Sequence, residues 1–332
     1  MIREREILNS YGFTEDLFHE CKREGFFCAR VIGVHHSDYE LASRFGIISA
    51  KLPGRWRREK NPIHFPAVGD WVLFEKKSDR FLIQEILSRR NILKRKKRHW
   101  VYPKPIAANL DGVIFVQAFG QDINFRRLQR VFTLLLAQNL PVYFIFNKQD
   151  LVSEKEINEI QSQMDALGID TNKYVLFTST KTGKGIDKFA DILLPKKTYT
   201  LIGSSGVGKS SLVNSLFKKE IYNTRETMKT GKGKHTTTSR KLILLPNKAL
   251  LIDTPGTRDF SIEEYIEEMG DEAFPLIHKY AQQCKFRDCM HRSEPGCAVR
   301  EAVEREEIER AVYDDYLHFI QYATKNSPKQ KR

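Results

Sequence analysis

The sequence has no uninterrupted apolar run of about 18 residues, the length that a transmembrane helix needs. Its first six residues, Met-Ile-Arg-Glu-Arg-Glu, also lack the apolar core of a secretory signal. We therefore expect a cytoplasmic protein that has no membrane partner.

Cysteine is scarce as well, with five in 332 residues, and three of the five fall in one short stretch. Cys284, Cys289, His291 and Cys297 form the pattern C-x4-C-x-H-x5-C. In a cytoplasmic protein this clustering favours a metal over disulfides. Three thiolates and one imidazole suit one tetrahedral Zn²⁺, which would be structural because no ligand position stays open. The alternative is a group of buried cysteines without metal.

Acidic residues are outnumbered, since 42 Asp and Glu residues face 55 Lys and Arg residues and the net charge is +13. Residues 1–105 alone carry 22 basic and 13 acidic residues. This excess indicates a polyanionic partner. A hydrophobic content of 41% is typical of a globular protein, and the length predicts two or three domains.

After a helical or irregular lead-in over residues 1–25, the chain changes to short strands separated by turns. The predicted strands are Phe26–Val34, Arg44–Lys51, Trp71–Glu75 and Phe81–Leu87. Several short strands with little helical pattern predict a small β-barrel or sandwich, and an OB-type barrel fits this size.

Two basic clusters accompany these strands. One is Arg55–Arg58, and the other runs from Arg89 and Arg90 through Lys94–Arg98 to Trp100 and Tyr102. Aromatic side chains between cations can stack on unpaired bases while the cations meet phosphates, so the clusters favour RNA contact. The alternative is a solvated basic linker.

From Asp111 onward, strands and helices alternate. The predicted strands are Gly112–Val116, Pro141–Phe146, Tyr174–Phe177, Thr198–Ile202, Lys241–Leu245 and Ala249–Ile252. Helices are predicted over Phe125–Gln138, over Ser153–Leu167 with a capping box, and over Ile186–Leu194. This alternation predicts a mainly parallel, doubly wound α/β sheet.

The nonapeptide Gly203-Ser204-Ser205-Gly206-Val207-Gly208-Lys209-Ser210-Ser211 fits the P-loop pattern G-x-x-x-x-G-K-[ST] between a predicted strand and a predicted helix. Its backbone N–H groups would surround phosphate oxygens at a helix N-terminus. Lys209 would reach the β- and γ-phosphates, and Ser210 would bind Mg²⁺. The alternative is an ordinary glycine-rich turn.

Two further motifs indicate which base is bound. Asn147, Lys148 and Asp150 form N-K-x-D at the end of a strand, where Asp150 could accept hydrogen bonds from guanine N1–H and its 2-amino group. Adenine offers neither, so the carboxylate would stay unpaired. The next strand ends in a loop in which Ser179, Thr180 and Lys181 resemble S-A-K, whose backbone N–H contacts guanine O6. Together they predict GTP or GDP as the ligand.

Mg²⁺ and the γ-phosphate have their own candidates. Asp253 and Gly256 belong to a D-x-x-G sequence, in which the Asp holds Mg²⁺ through water and the Gly N–H contacts the γ-phosphate. Thr237, with Thr236 as the alternative, would complete Mg²⁺ coordination. Thr257 stands where Ras-type enzymes carry the glutamine that positions water, so His235 is the candidate for that role. The alternative is that His235 only packs in its loop.

The motif order differs from that of a Ras-like GTPase, because N-K-x-D precedes the P-loop here. A circular permutation explains this order, since domain termini commonly lie close together. It also places D-x-x-G directly before the C-terminal region, where helices are predicted over Ile262–Met269, Phe274–Gln283 and Ala298–Tyr322. We expect nucleotide state to be coupled to that region.

The whole set of motifs resembles the circularly permuted, ribosome small subunit-dependent GTPase A (RsgA) family. The residues that carry the resemblance are Asn147–Asp150, Gly203–Ser211, Gly233–Thr238, Asp253–Gly256 and Cys284–Cys297. It implies a bacterial cytoplasmic factor that hydrolyses GTP to GDP and phosphate in late maturation of the small ribosomal subunit, stimulated by that subunit. It also implies rRNA binding, and we expect a monomer.

Three domains follow from these observations: an OB-like RNA-binding domain with an N-terminal extension (1–105), a circularly permuted GTPase domain (106–260), and a zinc-binding helical domain with a basic tail (261–332). Three alternative functions remain open. They are a GTP-dependent RNA-binding assembly factor with little hydrolysis, a permuted GTPase acting on the large subunit or another RNA, and a P-loop nucleotide kinase, which Asp150 disfavours.

Overall fold

The structure is a computed structural model that describes residues 2–35, 38–95, 102–120, 123–217, 240–253, 274–286, 289–310, 312–314 and 316–317. The predicted helix Ile262–Met269, the basic run 96–100 and the tail Lys325–Arg332 lie outside these residues. Among the residues that it describes, no helix is long and apolar enough to cross a bilayer.

Two short helices, α1 (Ile2–Ser10) and α2 (Glu15–Cys21), cover one side of the first domain. Leu8 of α1 is buried in a cluster with Trp71, Leu73 and Leu87. Cys21 of α2 and Cys28, near the start of the first strand, lie side by side with their Cα atoms 5.6 Å apart. The lead-in is thus packed against the strands that follow it.

Five strands close into a barrel in the order β1-β2-β3-β5-β4, with β4 paired back to β1. They are β1 (Phe27–His35), β2 (Asp38–Ser43), β3 (Gly46–Lys51), β4 (Trp71–Lys77) and β5 (Arg80–Ile86). Apolar side chains from several strands, such as Val31, Leu41 and Phe74, are buried together in its interior. The OB-like barrel is confirmed, and β2 is a strand that the sequence reasoning missed.

A two-stranded sheet of β6 (Ile92–Arg95) and β7 (Lys104–Ala108) follows the barrel. The sequence pattern predicts neither strand, because basic residues dominate this stretch. Strand β7 runs across the predicted boundary at 105–106. The limits of the three domains remain predictions.

The central domain is a six-stranded sheet in the order β10-β9-β8-β11-β13-β12. Its strands are β8 (Gly112–Ala118), β9 (Val142–Asn147), β10 (Val175–Phe177), β11 (Thr198–Ile202), β12 (Arg240–Leu244) and β13 (Leu250–Asp253). All neighbours pair in parallel except β12, which pairs antiparallel with β13. The mainly parallel sheet is confirmed.

Helices cover both faces of this sheet: α3 (Phe125–Ala137), α4 (Glu154–Ala166), α5 (Thr171–Tyr174), α6 (Ile186–Ile192) and α7 (Lys209–Phe217). One core contains Leu128 and Met164 from α3 and α4, and the other contains Phe189 and Leu212 from α6 and α7. The sheet is therefore doubly wound. The predicted capping box at Ser153 also forms at the start of α4.

The barrel and the central sheet share one hydrogen-bonded surface. Strand β1 pairs antiparallel with β12, with Gly33 opposite Lys241 and Val34 opposite Arg240. The eleven strands are therefore continuous.

The C-terminal part contains α8 (Pro275–Ala281) and α9 (Ala298–Glu304). The prediction of one helix from 298 to 322 is wrong, because α9 ends at Glu304. Glu306 then adopts φ 59°, and the N–H groups of Glu307 and Ile308 donate back to the Ala302 carbonyl at 2.9 and 3.2 Å. The chain turns here so that Ile308 is buried.

Candidate functional site

The P-loop connects the end of β11 to the start of α7. Gly203 has φ 142° and Gly208 has φ 100°, in the region that favours glycine. A Cβ at Gly203 would lie 2.2 Å from the Val116 carbonyl oxygen, and one at Gly208 would lie 2.2 Å from Asn147 Nδ2. Both glycines are therefore needed for the backbone to pack this closely.

Residues 204–206 of this loop are exposed, Val207 is buried, and Ser210 and Ser211 lie in the first turn of α7. Lys209 Nζ donates hydrogen bonds to the carbonyls of Gly203 and Ser204 at 2.7 and 2.8 Å. Its ammonium group thus lies across the mouth of the loop. The helix N-terminus and this ammonium together provide positive charge for phosphate oxygens.

Asn147, the last residue of β9, joins three segments of the site. It is fully buried, its Nδ2 donates to the Val207 carbonyl at 2.9 Å, and its Oδ1 accepts from Thr178 Oγ1 at 3.1 Å. The following residue, Lys148, turns the chain in a left-handed conformation with φ 64°. The N-K-x-D segment, the P-loop and the loop after β10 are therefore held together by one amide.

Asp150 is exposed at the edge of this assembly. Ser179 Oγ donates a hydrogen bond to Asp150 Oδ1, and this bond, with the nearby Lys181 and Lys148, lowers the pKa of Asp150 below its ordinary value. An ionised carboxylate is an acceptor only, so it suits paired N–H donors on the edge of a base.

The loop after β10 is compact. Ser179 is buried, and its N–H donates to the Lys184 carbonyl at 2.9 Å while Gly183 N–H donates back to the Ser179 carbonyl at 2.9 Å. Thr180 is half-buried and Lys181 is exposed beside Asp150. The structure therefore brings the predicted base-binding residues to one place.

Asp253 ends β13, the strand that pairs with the P-loop strand β11, so its backbone lies on the same edge of the sheet. His235, Thr236, Thr237 and Gly256 lie outside the described residues.

The start of β11 is anchored from the barrel side. Arg30 of β1 is buried, and its Nη2 donates to Thr198 Oγ1 at 2.8 Å while its Nε donates to the Gly69 carbonyl at 3.3 Å. Burial lowers the pKa of Arg30 to about 10, which leaves it charged at neutral pH. Asp111 accepts from Thr198 N–H at 2.9 Å. These contacts fix the strand that leads into the P-loop.

One member of the second basic cluster has a structural role. Arg89 donates from Nε and Nη2 to both carboxylate oxygens of the fully buried Asp70, at 2.8 and 2.7 Å. It also donates to the carbonyls of Ile63 and Phe65. These bonds occupy its guanidinium group, so Arg89 has a structural role, and RNA contact by the cluster stays a prediction.

The four predicted metal ligands meet between α8 and α9. Their ligand atoms all lie within 4.8 Å of one another. The Sγ atom of Cys284 lies 3.5 Å from His291 Nδ1 and 4.0 Å from Cys297 Sγ, and His291 Nδ1 lies 3.4 Å from Cys297 Sγ. A tetrahedral zinc with Zn–S bonds of about 2.3 Å requires ligand atoms about 3.5 to 4 Å apart. The donor set and its spacing therefore fit zinc.

Burial affects the protonation of these ligands. It raises the pKa of Cys289 to about 12, raises that of Cys297, and lowers that of His291. A neutral imidazole can bind a metal directly. The thiols bind it as thiolates, so each of them must release its proton when the metal ion binds. The Glu294 carboxylate accepts from the N–H groups of Met290, Arg292 and Ser293 and so orders the loop that carries His291.

The functional residues follow an unusual order in the chain. The predicted base-binding residues lie at the ends of β9 and β10, which precede the P-loop strand β11, and Asp253 ends β13 after it. A doubly wound sheet with these loops at one edge defines the class of circularly permuted P-loop GTPases. The chain belongs to the RsgA GTPase family, whose sequence profile matches residues 86–263.

Curated relatives match nearly the whole chain. "Small ribosomal subunit biogenesis GTPase RsgA 1" of Bacteroides thetaiotaomicron is 33% identical over 324 residues, covering 96% of this chain and 90% of the relative. "Small ribosomal subunit biogenesis GTPase RsgA 2" of Lactiplantibacillus plantarum is 36% identical over 304 residues, covering 90% and 84%.

Solved structures agree with this family. YjeQ from Thermotoga maritima matches with 27% identity and a TM-score of 0.56, covering 91% of this chain and all of that one. YloQ, described as a circularly permuted GTPase, matches with 26% identity and a TM-score of 0.53, covering 93% and 98%. The family resemblance stated from the motifs is thus confirmed.

Two residues of the site escaped the sequence reasoning. Thr178 directly precedes the residues that resemble S-A-K, and it donates a hydrogen bond to Asn147. Gln149 occupies the unspecified position of N-K-x-D and is buried. No pattern in the sequence distinguishes such a position, because the motif leaves it open.

Proposed function

We propose that this protein hydrolyses GTP to GDP and phosphate while it is bound to the small ribosomal subunit, during late maturation of that subunit. The observation that carries the proposal is the joining of the P-loop, N-K-x-D and the loop after β10 through Asn147. The partner is supported by the names of the relatives, which are small ribosomal subunit biogenesis GTPases.

In this proposal the exposed P-loop backbone and Lys209 bind the phosphates. Asp150 accepts hydrogen bonds from guanine N1–H and the 2-amino group, the aliphatic stem of Lys148 covers the base, and the loop through Ser179, Thr180 and Lys181 offers backbone N–H groups to O6. An adenine base would leave the Asp150 carboxylate unpaired, which disfavours ATP.

Mg²⁺ would be held by Ser210, by Asp253 through water and by Thr237, with Thr236 as the alternative. Bound there, it neutralises charge on the β- and γ-phosphates, and the Gly256 N–H contacts the γ-phosphate. His235 is proposed to position the attacking water, because Thr257 replaces the glutamine of Ras-type enzymes. We expect slow turnover without the ribosomal partner.

The barrel and the C-terminal region are proposed to contact rRNA. The excess of basic residues in the first 105 supports this, apart from Arg89. The Cys284–Cys297 region would hold one structural Zn²⁺, whose coordination fixes the turn between α8 and α9. The protein is proposed to act as a cytoplasmic monomer.

GTP turnover with purified ribosomal subunits tests this function. We expect small subunits, and not large subunits, to raise turnover at least about tenfold, because a partner that completes the transition-state contacts accelerates GTPases strongly. Lys209→Ala should abolish turnover, since the ammonium charge at the phosphates is lost. Lys188→Ala, at an exposed position of α6, is the matched control and should behave as wild type.

Two results would contradict the proposal and point to an alternative. Stimulation by large subunits alone would indicate action on the large subunit. GTP binding without stimulated turnover would indicate an assembly factor that uses GTP as a structural ligand.

A further inference from the structure

Gln149 lies between the two base-binding residues Lys148 and Asp150, but its side chain is directed inward. It is 7% exposed, whereas Asp150 is exposed and Lys148 is half-buried. A buried primary amide has two N–H donors and one acceptor to satisfy. The hydrogen-bond partners of the Gln149 amide therefore indicate its structural role.

The side-chain amide of Gln149 bridges the two ends of the loop after β10. Its Nε2 donates to the Phe177 carbonyl at 3.0 Å and to the Lys184 carbonyl at 3.2 Å. Phe177 is the last residue of β10, and Lys184 lies just before α6. One NH₂ group thus closes the base of the loop Thr178–Lys184.

The main chain of Gln149 strengthens this link, since its N–H donates to the Thr178 carbonyl at 3.0 Å. The Lys184 carbonyl that accepts from Gln149 also accepts from Ser179 N–H at 2.9 Å. Ser179 Oγ in turn donates to Asp150. Gln149 is therefore connected to the base-binding carboxylate by two routes, along the chain and through the loop.

We propose that Gln149 is a positioning residue for the guanine base: by joining the Phe177 and Lys184 carbonyls it holds the loop Thr178–Lys184 and Asp150 in the geometry that binds the base. This inference rests on the proposed guanine-nucleotide function. It assigns Gln149 no contact with the nucleotide and no part in hydrolysis. Loss of its amide removes the bridge between the Phe177 and Lys184 carbonyls, so that the Lys184 carbonyl keeps only the Ser179 N–H and the base of the loop is no longer closed.

The first test is Gln149→Leu, which keeps a similar side-chain volume and removes both donors. We expect the affinity for GDP to fall and the KM for GTP to rise about tenfold to hundredfold, because the bridge between the Phe177 and Lys184 carbonyls is lost and the loop must be ordered on binding. The kcat at saturating GTP should stay within about twofold of wild type, since the amide does not touch the phosphates. Gln163→Leu, at an exposed position of α4, is the matched control.

The second test, Gln149→Glu, separates positioning from a general loss of stability. The introduced carboxylate cannot donate and repels both carbonyls, whereas its protonated form can donate one hydrogen bond. Burial beside carbonyl oxygens raises the pKa of such a group. Relative to wild type at the same pH, the GDP affinity of this variant should therefore improve as the pH falls from about 8 to about 6. The comparison with wild type removes the titration of the nucleotide's own phosphate, and Asp150 stays ionised over this range because its pKa is lowered.

The outcomes distinguish this inference from the function on which it rests. If wild-type protein binds GDP but both variants bind it within twofold of wild type, the role of Gln149 is refuted. The role of Gln149 is also refuted if kcat of the Gln149→Leu variant falls by as large a factor as its affinity for GDP. It is refuted as well if the GDP affinity of the Gln149→Glu variant does not improve relative to wild type as the pH falls. If wild-type protein binds no guanine nucleotide, the proposed function itself fails.

Discussion

Asn147 shows how a single buried side chain can join loops that are distant in sequence. Its amide bonds the P-loop at Val207 and the loop after β10 at Thr178, and it lies against Gly208 so closely that a Cβ there would clash. The loops that we propose to bind the phosphates and the base are therefore joined by direct hydrogen bonds. We therefore expect a change in the position of the P-loop to shift the loop after β10, and the reverse.

At the residue scale, Asp150→Asn is expected to change base preference. The amide no longer accepts two hydrogen bonds from guanine, and its NH₂ group instead suits the 2-oxo group of xanthine. Affinity for GDP should fall at least about hundredfold, and affinity for xanthosine diphosphate should rise. Fluorescence titration with labelled nucleotides measures both.

Asp191→Asn, at an exposed position of α6, is the matched control for this change and should leave both affinities unaltered. Unchanged GDP binding in the Asp150→Asn protein would show that the base lies elsewhere.

Residues with a motif position could be found from the sequence, and residues with only a packing role could not. Lys209 and the four residues of the Cys284–Cys297 cluster stand at specified spacings, so their places in the P-loop and in one cluster were predictable. Arg89 belongs to a basic run, and nothing in that run shows that Asp70, 19 residues away, holds its guanidinium group. Long-range partners of this kind depend on how the strands are arranged.

At the scale of elements, the start of β11 depends on Asp111. Burial acts to raise the pKa of this carboxyl, but hydrogen bonds from Arg90 and Thr198 N–H, together with Lys197, lower it below its ordinary value. A carboxyl whose pKa is lowered by folding stabilises the protein above its ordinary pKa, and this contribution is lost as the pH falls through the lowered value. The strand that leads into the P-loop is thus held by an ionised group.

Asp111→Asn is accordingly expected to reduce the free energy of unfolding by about 1 to 3 kcal/mol near pH 7. The loss should shrink below about pH 4, because the wild-type carboxyl then becomes protonated. Urea unfolding at both pH values measures it. Asp314→Asn, whose partner Arg310 is exposed, should cost no more than about 0.5 kcal/mol. An Asp111→Asn loss that is equal at both pH values would contradict this assignment.

Elements of the central sheet were predicted closely because buried parallel strands are continuous apolar runs separated by helices. The prediction omits strand β2 although Tyr39 and Leu41 alternate with Asp38 and Glu40, because so short an alternation is a weak signal. The prediction of one long C-terminal helix was wrong because the apolar spacing continues across the turn at Glu306. Periodicity shows which residues are buried, but not where a helix breaks.

At the scale of the whole molecule, the pairing of β1 with β12 makes the barrel and the GTPase sheet one continuous surface. Arg30 and Asp111 add contacts at the same junction. This continuity could not be predicted from the sequence, since the residue pattern of an edge strand does not indicate which strand of another domain it pairs with. The kind of fold in each region could be predicted, because each region has its own composition and motifs.

Co-sedimentation with separated ribosomal subunits tests the central claim most directly. The protein is incubated with small or large subunits in the presence of GDP or a non-hydrolysable GTP analogue, with Lys209→Ala as the nucleotide-binding control. We expect it to pellet with small subunits when the GTP analogue is bound, to be released with GDP, and to stay in solution with large subunits. Binding to large subunits, or binding to small subunits that is the same with both nucleotides, would contradict the account.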